Sequence, residues 1–557
     1  MCGISGIYSP TQSFDPKLLD KMVVSMKHRG PDGSGTWISD DGKLGLGHNR
    51  LAVIDTSPSG AQPMHYLDRY VITYNGEIYN YRQLREECKK TGIGFTSTSD
   101  TEVILALYHQ KGEVFLEELD GMFAFAIYDK VNGELFCARD RYGEKPFYYH
   151  ADFQSFHFAS ELKALWAAGI KKEISEEGIY HFLANDGVDE SAPFYKGIKT
   201  IPPGHFIKIN FEHNLLAIRV KSYYEINAAS TSIWDGDHLR GLIQKAVQSR
   251  LVSDVGYALT MSGGVDSAIN VFASSQVEKD PQTYGLIYPG KPYNEADQQD
   301  LLHTRLKTRH TQFPYHEFVS EDDFIATVRH HEWPIIHQSM FAQNFLYKRV
   351  REHGHKVLLE GQGADEIFGG YFYTQRAFIK TLWESGRKVN AAYHFFHWLQ
   401  SRLLSGGLFE SSGADGLHPD FVHSFKDKIH KPTEKTDFTN GRLVTLLRYA
   451  DINAMMYGLE VRMPFLESSL VDYALHLEND IKFKKGIKKW PLRSVFDGDI
   501  PRQVLWQRQK IGFMTQIKID PLQTSNNKGN CDVYFDLKAK LTPKMEFKKH
   551  VLKVLLS

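Results

Sequence analysis

The chain of 557 residues is poor in cysteine and has no excess of charge of either sign. Its four cysteines include no Cys-x-x-Cys pair, so neither a disulfide framework nor a zinc site is indicated. The 66 lysines and arginines are balanced by 67 aspartates and glutamates, which argues against nucleic acid as a partner. This composition favours an enzyme that acts on small molecules in the reducing cytoplasm.

Long apolar runs are also absent. No stretch of 18 apolar residues occurs, and the first twenty residues carry Asp15, Lys17 and Asp20 in place of an apolar segment. We therefore expect neither a secretory signal nor a membrane-spanning helix. A chain of this length is too long for one hydrophobic core, so two or more domains are expected.

The first 210 or so residues have a β-rich pattern. Short aromatic and β-branched segments at residues 70–74 and 122–128 are bounded by turn pairs of asparagine or aspartate with glycine. Two helices are predicted among these strands. One has its apolar side chains on a single face between Leu18 and Met26, and the other runs from Thr101 to Gln110 with Asp100 at its N-cap position.

The pattern then changes to short apolar strands followed by glycine-rich loops and helices. Residues 257–260 precede one such loop at 262–267, and residues 356–359 precede a second at 361–366. This alternation predicts a parallel α/β sheet. A ligand is expected at the carboxyl ends of its strands.

Cys2 directly follows the initiator methionine. Removal of Met1 places a thiol and a free α-amine on the same residue. An α-amine has a pKa of roughly 7.7 to 8, so near neutral pH it can take the proton of the thiol. On this residue alone, a chance cysteine near the start of the chain is the better interpretation.

Five motifs behind Cys2 change that interpretation, and they occur at residues 28–33, 47–55, 74–80, 99–100 and 139–146. Together with Cys2 they resemble the glutaminase domain of the class II, N-terminal-nucleophile glutamine amidotransferases. The resemblance implies that residues 1–210 form this domain. It also implies a four-layer αββα sandwich in which helices cover two stacked antiparallel sheets.

The same resemblance assigns a glutamine site. Cys2 attacks the glutamine carboxamide, and the Asn75 side chain with the Gly76 N–H stabilises the oxyanion, as such donors do. The glutamine-binding residues are Arg50, Leu51, Ile54, Asn75, Gly76, Glu77 and Asp100. Arg50 is assigned to the α-carboxylate of glutamine, and Glu77 and Asp100 to its α-amine. The alternatives are a structural salt bridge for Arg50 and a helix cap for Asp100.

A second resemblance starts from the hexad Ser262-Gly263-Gly264-Val265-Asp266-Ser267, which is similar to the pyrophosphate-binding loop of ATP pyrophosphatases. Two glycines let backbone N–H groups approach phosphates, and a helix N-terminus presents further donors. The alternative is an ordinary glycine-rich turn. The implied ATP-binding residues are Leu259, Ser262, Gly263, Gly264, Asp266, Ser267, Leu286, Glu360 and Gly361.

The resemblance also implies a Mg²⁺ site. Asp266 and Asp365 are its two carboxylates, a plausible coordination for one hard cation and its phosphates. Lys489 is assigned to the charge on the reacting phosphates. The alternatives are a helix cap for Asp365 and a solvated surface position for Lys489.

Residues 459–466, 489–493 and 508–513 complete the similarity to glutamine-hydrolysing asparagine synthetases. Residues 235–557 are then the synthetase domain, a parallel α/β ATP-pyrophosphatase fold with added helices, and residues 227–237 are the predicted linker. The implied reaction converts ATP to AMP and pyrophosphate by adenylating a carboxylate, which ammonia from glutamine then attacks. Glutamine, ATP and aspartate are the implied small-molecule partners, with a homodimer left open.

Gln362 departs from that family, which usually has glutamate at this position to assist ammonia attack. Gln362 and Asp365 are the acceptor-site candidates, and Glu360 could serve as base in place of the missing acid. The acceptor is therefore aspartate or another carboxylate, such as a glycan, cell-wall or secondary-metabolite acid. A different class remains open, a glutaminase or scaffold whose synthetase half is inactive, although the intact hexad argues against it.

Overall fold

The computed structural model describes residues 1–184, 193–212, 215–226, 231–316, 319–405, 441–507 and 543–557. Two motifs from the sequence lie wholly or partly outside these ranges. The motif at residues 508–513 is not described, and the predicted linker of residues 227–237 is described only from residue 231.

The first part of the chain forms two six-stranded antiparallel sheets. The twelve strands are β1 Gly3–Tyr8, β2 Gly33–Ile38, β3 Leu44–Arg50, β4 Met64–Tyr66, β5 Tyr70–Ile78, β6 Gly121–Asp129, β7 Glu134–Arg139, β8 Tyr148–Ala151, β9 Phe156–Ala159, β10 Ile198–Thr200, β11 His205–Glu212 and β12 Leu215–Ser222. The first sheet has the order β10-β8-β9-β1-β3-β2, and the second has the order β12-β11-β7-β6-β5-β4. The second sheet thus continues to Ser222, beyond residue 210.

The two sheets pack face to face because both bury apolar side chains on their inner faces. One core cluster combines Ile4 of β1 and Leu46 of β3 with Val71 of β5 and Ala124 of β6, each of them fully buried. The helix Pro16–Ser25 covers the first sheet, and the helices that begin at Tyr81 and Asp100 cover the second. The four-layer αββα sandwich implied by the sequence is confirmed.

The predicted N-cap of the helix after residue 99 is wrong by one residue. The helix is Asp100–Lys111, and the Ser99 hydroxyl caps it by accepting from the Thr101 N–H at 3.1 Å. The Asp100 carboxylate instead accepts from the Ile78 N–H at 3.0 Å and from the Tyr74 hydroxyl at 2.8 Å. These two donors on β5 turn the carboxylate inward, so the shorter serine side chain serves as the cap.

The second part of the chain contains a five-stranded parallel sheet, as predicted. Its strands are β13 Tyr257–Thr260, β14 Gln282–Ile287, β15 Arg309–Pro314, β16 Val357–Leu359 and β17 Glu460–Arg462. They lie in the order β15-β14-β13-β16-β17 with every pair parallel. The loops that follow β13 and β16 therefore emerge side by side at one edge of the sheet.

Helices surround all three sheets. The described α-helices are Pro16–Ser25, Tyr81–Lys90, Asp100–Lys111, Leu162–Ala167, Glu176–Ala184, Gly236–Arg250, Val265–Ser275, Ala296–Leu306, Glu321–His331, Ser339–Glu352, Ala364–Phe368, Phe372–Glu384, Lys388–Ser405, Arg442–Met455, Ser468–His476, Asn479–Lys482, Trp490–Val495, Arg502–Leu505 and Pro543–Leu556. Among them, none is both long enough and apolar enough to cross a membrane.

Candidate functional site

Cys2 lies immediately before β1, beside two of the residues that the sequence assigned to it. Its backbone N–H donates to the Asn75 Oδ1 atom at 2.8 Å, and its Sγ atom is 4.0 Å from the Leu51 carbonyl oxygen. Burial raises the pKa of the thiol, and the neighbouring N-terminal ammonium opposes that rise. A base next to the sulfur is therefore needed to form the thiolate.

Asn75 and Gly76 lie together on β5, where the oxyanion donors are expected. The Asn75 Oδ1 atom accepts from the Cys2 N–H. The Asn75 Nδ2 group is a buried donor without a hydrogen-bond partner. Leaving such a donor unpaired costs roughly 1 to 3 kcal/mol, which a ligand oxygen offsets. A Cβ atom on Gly76 would stand 2.1 Å from the Met122 carbonyl oxygen, so only glycine fits this position.

Buried carboxylates surround the thiol. Burial, followed by the charges of Glu460 and Asp100, holds the pKa of Glu77 well above its usual range. Burial also raises the pKa of Asp100, despite its hydrogen bonds from Ile78 and Tyr74. A cation beside these carboxyl groups would favour their charged forms and lower their pKa values. The contact of Glu77 and Asp100 with an α-ammonium group stays a prediction.

Glu460 and Arg462 of β17, in the parallel sheet, also reach this site, and the sequence analysis gave them no role there. The N-terminal ammonium of Met1 donates to Glu460 Oε2 at 2.6 Å, and Arg462 Nε donates to Glu460 Oε1 at 2.6 Å. Burial raises the pKa of Glu460, but the two cations lower it to about 2. The Met1 side chain is fully buried against Tyr79, Met122 and Met455.

Arg50 is held by backbone carbonyl oxygens. Its Nη1 group donates to the Ser57 carbonyl oxygen at 2.8 Å, and its Nη2 group donates to the Asp55 carbonyl oxygen. Among the described residues no carboxylate pairs with it, so it is not a structural salt bridge there. The neighbouring predictions Leu51 and Ile54 are both buried.

The hexad after β13 forms a compact loop that leads into the helix Val265–Ser275. Its two serines hold it together, because the Ser262 and Ser267 hydroxyls lie 2.9 Å apart and the Gly264 N–H donates to Ser262 Oγ at 3.2 Å. Asp266 is in the first turn of the helix. The predicted order of strand, loop and helix is therefore present.

A cavity of about 510 Å³ opens at the edge of the parallel sheet where this loop emerges. Predicted residues that line it are Ser262, Gly263, Gly264, Asp266, Ser267, Leu286, Glu360, Gly361, Gln362, Asp365 and Lys489. Leu259 is fully buried in β13, and its neighbour Thr260 lines the cavity instead. The sequence did not assign Glu295, whose Oε2 atom accepts from the Gly263 N–H at 3.3 Å.

Lys489 joins the two predicted metal carboxylates. Its Nζ atom lies 2.6 Å from Asp266 Oδ2 and 2.6 Å from Asp365 Oδ1. Lys489 is buried, so it is not a solvated surface lysine, and the cap of the helix Ala364–Phe368 is Gly363 rather than Asp365. A Cβ atom on Gly370 would stand 1.6 Å from the Asp365 Oδ1 atom, so glycine is required beside this pair.

The convergence of these two carboxylates fits a hard divalent cation. Their oxygens lie within hydrogen-bond distance of one Nζ atom, so they can also reach one ion. Another group of possible ligands, His28, Glu161 and His330, lies elsewhere. Glu161 already pairs there with Arg29 and with the Lys163 ammonium group, whose charge disfavours a metal ion.

Comparison with known proteins gives a consistent result for both halves. A family model described as a glutamine amidotransferase domain matches residues 1–224, and one described as asparagine synthase matches residues 238–531. Glutamine-hydrolysing asparagine synthetase 1 of Bacillus subtilis is 30% identical, covering 93% of this chain and 87% of its own length. Glutamine-hydrolysing asparagine synthetase B of Escherichia coli is 29% identical, and the match covers 92% of this chain and 82% of the length of that protein.

One solved structure with a similar fold is more distant in sequence. The structure titled as the allosteric regulatory enzyme of purine biosynthesis is 16% identical, covers 64% of this chain and 74% of its own, and has a TM-score of 0.32. This likeness is too weak to bear on function.

Replacing either cavity carboxylate by its amide tests the ATP site. Asp266→Asn and Asp365→Asn should each abolish pyrophosphate release from ATP, because each removes a cation ligand and a partner of Lys489. Glutamine hydrolysis should survive, since Cys2 belongs to the other site. Both activities are measured on the same preparation. Normal ATP turnover in either variant would show that its carboxylate has only a structural role.

Proposed function

The chain belongs to the asparagine synthase family of glutamine-hydrolysing ligases, and from that premise we propose that it converts aspartate to asparagine. Glutamine supplies the nitrogen, and ATP is cleaved to AMP and pyrophosphate. The acceptor carboxylate is first adenylated, and ammonia then displaces AMP. The observation that supports this proposal is that one chain contains two clusters. One is a buried thiol beside an unpaired amide donor, and the other is a glycine-rich loop beside a carboxylate–lysine cluster.

At the first site, the chain's residues provide each element of thiol catalysis. After removal of Met1 the α-amine of Cys2 takes the thiol proton, and the thiolate attacks the glutamine carboxamide. Asn75 Nδ2 and the Gly76 N–H then hold the oxyanion, and one such donor is typically worth about 2.7 to 4 kcal/mol. Glu77 and Asp100 hold the α-ammonium group, and Arg50 turns its remaining donor to the α-carboxylate.

At the second site, the hexad binds the phosphates of ATP through its backbone N–H groups and through the helix Val265–Ser275. Asp266 and Asp365 hold Mg²⁺, which when bound neutralises charge on the phosphates. Lys489 meets the departing pyrophosphate, and Leu286 flanks the base. A cytoplasmic location and a homodimer stay predictions from the sequence.

Aspartate as the acceptor is supported by the names of the relatives and by an arginine side chain that lines the cavity. Arg442 lines the cavity and stacks on the Tyr371 ring, with its Cζ atom 4.6 Å from the ring centre. Its Nε group is buried without a hydrogen-bond partner. A stacked guanidinium with a free donor suits the α-carboxylate of a small dicarboxylic acid.

A second candidate is an amidotransferase of the same family that acts on another carboxylate. The observation that favours it is Gln362, which lines the cavity where the family usually has an acid. An amide cannot take up a proton at neutral pH, so an aspartate-specific enzyme needs another base.

The acceptor is identified by positional isotope exchange in ATP, measured without any nitrogen donor. This exchange reports adenylation before ammonia attacks. Aspartate should support it, and glutamate, glycan acids and buffer alone serve as controls. Exchange with a larger acid but not with aspartate would favour the second candidate. If none of the tested carboxylates supports exchange, the synthetase half is inactive.

Cys2→Ala separates the two sites. It should abolish asparagine formation from glutamine and leave formation from ammonium salts within about threefold of wild type, because only the first site loses its nucleophile. Product is measured with each nitrogen donor. A chain that retains Met1 should show the same pattern, since its ammonium is bound to Glu460 and the base is displaced by one residue. Equal loss with both donors would contradict this division.

A further inference from the structure

Attack of ammonia on an acyl-adenylate releases one proton, and a group in the cavity must accept it. The nitrogen lone pair forms the new C–N bond, and the carbonyl carbon's bond to the adenylate oxygen breaks with its electron pair going to AMP. The nitrogen of the intermediate is then positively charged and must lose a proton to become an amide. This requirement rests on the proposed function, and it holds for any carboxylate acceptor.

Most of the carboxylates that line the cavity already have other partners. Asp266 and Asp365 share the Lys489 ammonium group. Glu295 is bound to the phosphate loop through the Gly263 N–H, and Glu366 accepts from the Tyr371 hydroxyl at 2.6 Å. These four are committed to the phosphates, the cation or the cavity wall.

Glu360 is different, because among the described residues no cation pairs with it and it does not bind the phosphate loop. Its neighbours are neutral side chains, those of Tyr347, Gln343 and Gln362. The Gln362 Nε2 group donates to Glu360 Oε2 at 3.3 Å, and both side chains line the cavity. The Gln362 Oε1 atom is buried without a hydrogen-bond partner. The pair therefore offers one carboxylate and, beside it, one unpaired amide oxygen, which can accept an N–H group of ammonia but cannot take its proton.

Glu360 is also attached to the strand that reaches the thiol site. Its N–H donates to the Arg462 carbonyl oxygen at 3.0 Å, at the end of β17. Glu460, at the start of the same strand, is 2.6 Å from the N-terminal ammonium next to Cys2. At about 3.3 Å per residue, Glu460 and Arg462 are about 7 Å apart along this strand. This backbone hydrogen bond thus joins Glu360 to the strand that carries Glu460 beside the thiol site.

We propose that Glu360 is the base of the amidation step and that Gln362 positions both Glu360 and the ammonia. The Gln362 amide oxygen holds one N–H group of the nucleophile, and its Nε2 group fixes the receiving carboxylate. One proton passes from nitrogen to Glu360, and the products are the amide, AMP and protonated Glu360. The acid that the family usually carries at residue 362 stands two residues earlier in this chain.

The protonation behaviour of Glu360 agrees with this role. Burial raises the pKa of Glu360 to about 7. A base works best when its pKa lies near the operating pH, because it is then both deprotonated and basic.

Glu360→Gln tests the base directly, with the acceptor that supports isotope exchange in the wild type. Amide formation from ammonium salts should fall about 10²- to 10⁴-fold, the usual contribution of a general base. The sequence placed Glu360 among the ATP-binding residues, and that role would make isotope exchange in ATP fall in parallel with amide formation. If Glu360 acts as the base instead, exchange should stay within about fivefold of wild type. Hydroxylamine should restore part of the rate, since its attacking nitrogen is more acidic after addition and depends less on a base.

A swap variant guards against a purely structural loss. Glu360→Gln combined with Gln362→Glu moves the acid back to residue 362 and should recover at least tenfold of the lost rate. Glu366→Gln is the matched control on the same wall and should keep the wild-type ratio of product to exchange. Three results would each overturn the proposal. The first is amide formation by Glu360→Gln within fivefold of wild type, and the second is a loss of isotope exchange in parallel with the loss of product. The third is a double variant that recovers none of the lost rate.

Discussion

One buried guanidinium joins the thiol residue to both halves of the molecule. Arg29 is fully buried, and it donates to the Cys2 carbonyl oxygen, to Glu161 and to Asp451, each at 2.9 Å. Two carboxylates offset the cost of burying this cation, and removing one partner of such a group is typically destabilising by about 3 to 5 kcal/mol. The position of the nucleophile therefore depends on the way in which the two halves pack together.

The fold was largely predictable because its sheets have different sequence patterns. Aromatic strands with asparagine–glycine turns predicted a β-rich first part, and only the family resemblance implied that its sheets form an antiparallel sandwich. Short apolar strands before glycine-rich loops predicted the parallel sheet. The cap at Ser99 was missed because aspartate and serine are both common caps, and the choice depended on donors from β5. Local sequence does not contain that information.

The sites were predictable where their residues are close together in the sequence. Residues of the hexad are neighbours in sequence, whereas Glu460 is 459 residues from the N-terminus it binds, and Glu295 is 32 residues from Gly263. No spacing rule indicates such pairs, because they arise only when separate strands end at the same place. Family resemblance named Lys489, but its contact with both aspartates depends on the tertiary structure.

The lysine between the two aspartates has a consequence for the order of events in the ATP site. Its ammonium group occupies the same carboxylate oxygens that a divalent cation needs, and two cations at one position repel each other strongly. With the proposed divalent cation on these oxygens, the lysine would have to leave the aspartates. Its charge would then be available to the phosphates of a bound nucleotide.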